Sequence, residues 1–132
     1  MLNAKKVKTF IVWVMLAAIM ASNVKVSAAS SVSGYTGGVA VSGSSHIGYT
    51  NASAYTGADS YNPGVTAYVS STYTMISIAD GTKETRTKSS TGTSSTSVFF
   101  SYTGYRSYEI ISYHWAQYNN ATPWSGNTSI MY

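Results

Sequence analysis

Outside the first 30 residues, six side chains carry an imidazole or a carboxylate: His46, His114, Asp59, Asp80, Glu84 and Glu109. General acid–base chemistry needs two such groups held against each other. Asp80 precedes Gly81, a dipeptide favoured in two-residue hairpin turns. Glu84 lies in Thr82–Ser89 (TKETRTKS), a run that alternates threonine with charge. Local structure accounts for both carboxylates. Glu109 and His114 are five residues apart, so on a regular strand they face opposite sides. His46, Asp59 and a serine could be drawn as a triad. With 21 serines after residue 28, however, a serine near a histidine carries no information. There is no cysteine, no Gly-x-Ser-x-Gly elbow, and no second ligand at metal-site spacing from either histidine. Calcium loops, phosphate loops and dinucleotide fingerprints are also missing from the sequence. The sequence predicts a protein that is not an enzyme and uses neither cofactor nor metal.

The charge distribution narrows the partners. Lys5, Lys6, Lys8 and Lys25 all precede residue 29, and the remainder balances Lys83, Arg86, Lys88 and Arg106 against Asp59, Asp80, Glu84 and Glu109. The +4 net charge therefore belongs to the leader. A formally neutral remainder offers no basic patch for nucleic acid or anionic lipid. Residues 1–28 read as a signal peptide. The three early lysines form a positive n-region, Phe10–Ala21 an apolar core, and cleavage is expected after Ala28 or Ala29. About a dozen apolar residues fall short of the roughly 20 needed to span a bilayer. The expectation is a secreted bacterial protein, associated with the cell wall, with no stable membrane anchor after processing.

The remainder has 36 Ser and Thr, all 12 Tyr, and no Leu. Strong helix formers other than Ala are scarce, whereas Thr, Tyr, Val and Ile suit strands. Leu, Ile, Val and Phe supply only 14 residues, so aromatic area must supplement the core. The predicted fold is all-β: a small antiparallel β-sandwich or barrel-like domain of about 6–8 strands. Residues 29–63, rich in Gly, Ser and Tyr, are expected to be weakly patterned and floppy. Residues 64–132 are expected to carry the main β region of the same domain.

Within that region, Val65–Ala79 reads as a strand whose apolar phase switches near Ser70-Ser71, implying a bulge or corner. Thr82–Ser89 has no apolar face and reads as a charge-protected edge strand. Ser90–Thr96 reads as a mobile linker, and Ser97–Tyr102 as a buried strand around Val98, Phe99 and Phe100. Arg106–Tyr118 has apolar groups on both faces, as a central strand does. Pro123–Gly126 reads as a corner, and Thr128–Tyr132 as the last strand.

Two patterns suggest binding. Tyr-Thr-Gly occurs at Tyr35, Tyr55 and Tyr102, with Tyr49-Thr50-Asn51 as a near copy. Ordinary turn chemistry explains such a motif, but its tyrosines could also line a sugar or peptide surface. His114-Trp115 together with Trp124 is the most distinctive cluster. It reads either as amphipathic packing, Trp inside and His outside, or as an exposed Trp124 that stacks on a ligand. The candidate binding residues are thus Trp124, Trp115, His114, Tyr35, Tyr49, Tyr55 and Tyr102. The leading expectation is a secreted non-enzymatic module that binds cell-envelope glycan, a cell-wall polymer or another extracellular surface. The alternatives are a bacteriocin-like antimicrobial protein, a structural matrix protein, or an inhibitor of a secreted enzyme.

Overall fold

A computed structural model describes residues 31–132. The signal-peptide reading lies outside these residues. The described chain forms eight strands and no helix: β1 (Ser31–Thr36), β2 (Val39–Ile47), β3 (Asn51–Ala58), β4 (Val65–Ser77), β5 (Lys83–Thr93), β6 (Ser95–Ser101), β7 (Tyr105–Tyr118) and β8 (Trp124–Met131). They make two antiparallel four-stranded sheets, β1-β2-β3-β6 and β5-β4-β7-β8, packed face to face. The all-β sandwich expected from composition is the fold.

Turn chemistry sets the connections. Thr36 pairs with Val39, and the two residues between them, Gly37 and Gly38, both have positive φ (55° and 79°). Those angles suit a type I′ hairpin, which glycine adopts without steric cost. No two-residue hairpin forms at Asp80-Gly81, where one was expected. The β4–β5 connection is longer: Ser77 N–H donates to the Thr82 carbonyl and closes a loop over Ile78–Gly81. Asp80 holds that loop by accepting hydrogen bonds from the Thr82 amide and hydroxyl.

Several expectations need correction. Residues 31–58 are not floppy: β1, β2 and β3 supply most of the first sheet. Ser90–Thr96 is no mobile linker. β5 runs to Thr93, β6 starts at Ser95, and Ser94 alone (φ 66°) carries the chain from one sheet to the other. Ser94 donates its N–H to the Val65 carbonyl, accepts from the Ala58 N–H, and takes the Asn62 amide on its hydroxyl. Phe99 points outward and is 59% exposed, whereas Val98 and Phe100 face the core. Trp124 begins β8 instead of marking a corner. β5 is an edge strand and β7 a central one, as their patterns suggested.

The core explains why the patterning was hard to read. β4 keeps one inward phase from Val65 through Ser71, Tyr73 and Met75, without the switch expected at Ser70-Ser71. The irregularity falls later, where Thr74 pairs with Glu109 but Met75 pairs with Ser107, so β7 carries one extra residue. Two apolar clusters fill the ends of the sandwich. Val69, Tyr73, Met75, Phe100 and Ile110 dominate one; Val41, Val65 and Ala116 form the centre of the other. Apart from Gly43 and Gly126, the inward residues between these clusters on β2, β3, β7 and β8 are polar: Ser45, Thr56, Ser112, His114 and Thr128. A belt of hydroxyls around one imidazole therefore crosses the core.

Candidate functional site

Burying polar groups costs free energy unless they find partners, and the belt is fully partnered. Thr56 Oγ1 lies 2.7 Å from His114 Nδ1, and Thr128 Oγ1 lies 2.8 Å from Nε2. Ser45 Oγ reaches Thr128 Oγ1 at 2.5 Å and Ser112 Oγ at 2.7 Å. Ser71 donates to Ser112 at 2.8 Å. Among the described residues no buried side-chain nitrogen or oxygen lacks a hydrogen-bond partner. The imidazole lies directly over Gly43 of β2, where any Cβ would overlap the ring. Burial in this low-dielectric setting lowers the His114 pKa to about 4, partly offset by a hydrogen bond involving the Tyr55 backbone. A neutral ring donates from one nitrogen and accepts at the other, which two threonine hydroxyls can satisfy. The expected order is thus reversed: His114 is inside and its neighbour Trp115 is outside, so His114 is not a surface group.

The other predicted residues do not converge. Tyr35 is 73% exposed on the outer side of β1. Tyr55 lies on the outer face of the first sheet, its ring folded over Gly57. Tyr49, at the β2–β3 turn, meets Tyr132 edge-on at 5.9 Å. Tyr102 stacks on the buried Tyr73 at the β6–β7 turn. Tyr35-Thr36-Gly37 and Tyr102-Thr103-Gly104 enter turns, but Tyr55-Thr56-Gly57 lies within β3. No single tyrosine surface results. Trp124 lies across the glycine backbone of Gly34 on β1 and packs with the Val41–Val65 cluster. One of its faces is already occupied by the protein.

Trp115 is different. The outward positions of β7 include Ile111, Tyr113, Trp115 and Gln117, because Ser112, His114 and Ala116 point inward. Tyr113 and Trp115 are two residues apart on one strand, hence roughly 7 Å apart on the same face. Both are half-buried. Across the sheet, Trp115 pairs with Tyr68 on β4 and Ser125 on β8; Tyr113 pairs with Ser70 and Asn127. The result is a half-buried aromatic pair, Tyr113 and Trp115, on the outer face, with the buried Tyr68 opposite Trp115 on one side and the exposed Ser125 and Asn127 of β8 on the other. Sequence reasoning named Trp115 but missed Tyr113 and Tyr68. The i, i+2 spacing of Tyr113 and Trp115 was the available signal; Tyr68 could be placed only by the cross-strand register.

Among the described residues no group of three or more His, Cys, Asp or Glu could hold a metal ion. No described helix is long and apolar enough to cross a membrane. No family model matches the chain, and neither a curated protein nor a solved structure does.

Proposed function

We propose that this chain is a secreted, non-enzymatic binding module that holds an extracellular polysaccharide, such as a cell-wall polymer, on the outer face of β5-β4-β7-β8. One observation carries the reading: Tyr113 and Trp115 share the outward face of the central strand, beside the exposed Ser125 and Asn127 of β8. Aromatic rings offer an apolar body at low conformational cost, and neighbouring hydroxyls and amides supply adaptable hydrogen bonds. A sugar ring presents the same combination of apolar face and polar rim. The seclusion of His114, with both ring nitrogens engaged by threonines, favours binding over proton-transfer chemistry.

The test is depletion of the purified protein by isolated cell walls and by insoluble polysaccharides. Trp115→Ala and Tyr113→Ala should each weaken pelleting, and Trp124→Ala should retain it when folded. Failure of the folded wild type to pellet with any polymer would refute the reading.

A further inference from the structure

The two strands beside the aromatic pair carry a second pattern. On its outward face β4 presents Thr66, Tyr68, Ser70, Thr72 and Thr74. These stand opposite Thr93, Thr91, Ser89, Thr87 and Thr85 of β5. Every position in the ladder bears a hydroxyl, but Tyr68 and Ser70 in the β4 column are buried, so the accessible row is that of β5. Thr72 and Thr87 hydroxyls lie 3.1 Å apart, and those of Thr74 and Thr85 3.3 Å. Sheet geometry spaces successive pairs by roughly 6.6–6.8 Å along the strands and sets the two columns about 4.7–4.9 Å apart. The β5 column is exposed along its whole length.

The charges of β5 largely avoid this face. Glu84, Arg86 and Lys88 stand opposite Met75, Tyr73 and Ser71, which face the core. Lys88 accordingly donates to the Phe99 carbonyl of the other sheet at 2.7 Å and lies 5.2 Å from the Phe100 ring centre. Charged outward side chains occur only at the Asp80 end, where Lys83 and Arg106 flank Ile76 and Glu109 follows on β7. From the Thr72–Thr87 pair to the Thr66–Thr93 pair, no outward residue of any of the four strands is charged. An edge strand is commonly protected by charge. Here that protection lies on the inner overhang, leaving the outer face neutral.

We propose that this face takes an ordered, packed array of uncharged polysaccharide chains. Trp115 and Tyr113 stack on one chain, and the exposed hydroxyl column of β5 hydrogen-bonds the chain lying beside it. The inference rests on the function proposed above and adds the charge and physical form of the ligand. An acidic polymer would call for Arg or Lys donors, and these rows have none. Form follows from shape: a face with three inter-strand gaps is roughly 14 Å wide, and the aromatic pair of β7 and the exposed hydroxyls of β5 lie in separate columns across it.

The experiment measures adsorption of wild type, T87K/T91K, T87S/T91S and W115A to three probes. These are a neutral polysaccharide in crystalline form (cellulose or chitin), the same polymer as a soluble derivative, and acidic alginate. Both ladder positions lie on the exposed edge strand, and circular dichroism checks that each variant is folded. Wild type should prefer the crystalline polymer and ignore alginate. The lysine pair should lower crystalline adsorption about tenfold, equivalent to about 1.4 kcal/mol, and the serine pair should retain it. W115A should lose both neutral forms. Unchanged adsorption of the lysine pair, equal wild-type affinity for soluble and crystalline forms, or preference for alginate would overturn this inference while leaving the binding module in place. Ice-crystal shaping lost in T87K/T91K would reassign the ladder to ice and also overturn it. Failure of wild type on every polymer would refute the proposed function itself.

Discussion

Acid should loosen this sandwich through one residue. His114 is fully buried between two sheets and has a pKa of about 4, against 6.5 for the ordinary side chain. The folded state therefore holds the ring neutral over a range where the unfolded chain protonates it. Stability is undiminished above the unfolded value and falls as pH drops through it; the loss levels off once pH passes below the folded value. At 1.36 kcal/mol per unit, the full difference corresponds to about 3 kcal/mol. Between pH 7.5 and pH 5 the same two values give a loss of about 2 kcal/mol. That is a sizeable share of the ~5–15 kcal/mol that holds a typical domain together. The assay is urea unfolding followed by tryptophan fluorescence across that window. Stopping at pH 5 keeps the measurement above the carboxylate range, because Asp80, lowered mainly by its hydrogen bonds from Thr82, loses its own contribution further down. His114→Gln should flatten the pH dependence. A wild type whose urea midpoint does not move from pH 7.5 to pH 5, or a slope that survives His114→Gln, would refute the reasoning.

Other perturbations of the same core follow. Thr56→Val should cost about 1–3 kcal/mol by leaving His114 Nδ1 without its buried partner, read from the urea midpoint at pH 7.5. Gly43→Ala places a Cβ against the imidazole and should destabilise by about 1–3 kcal/mol, as overpacking does. Its pH dependence should weaken as well if the ring is displaced toward water. Trp124→Ala should cost roughly 2 kcal/mol, less than a fully buried tryptophan. It should lower the melting temperature while leaving polymer adsorption near the wild-type level, because this ring fills the β1–β8 junction.

What the sequence revealed depended on whether inward positions were apolar. β5 was legible because neither of its faces is apolar, and β7 because both carry apolar groups. β1, β2 and β3 were faint because their inward positions include Gly34, Gly43, Ala52 and Ala54, which are small. At two of these the missing volume belongs to rings from the opposite sheet, Trp124 over Gly34 and His114 over Gly43. Such compensation across sheets leaves no local periodicity. The belt of Ser45, Thr56, Ser71, Ser112, His114 and Thr128 had a further effect, since polar residues at inward positions read as outward ones. That is why the phase of β4 appeared to switch at Ser71, and why His114 was placed outside and Trp115 inside. The candidate site was half legible: Trp115 stood out by type, and Tyr113 shared its period. Register alone brings in Tyr68, Asn127 and the pairing of threonines across β4 and β5.

The proposed binding surface is the outer face of the second sheet. Its most direct test compares wild type with Trp115→Ala for depletion by an insoluble neutral polysaccharide. Wild type should pellet, and the folded variant should lose about tenfold or more in affinity, the scale of a tryptophan anchor worth at least about 1.4 kcal/mol. Equal pelleting of the two proteins, or none by either, would contradict it.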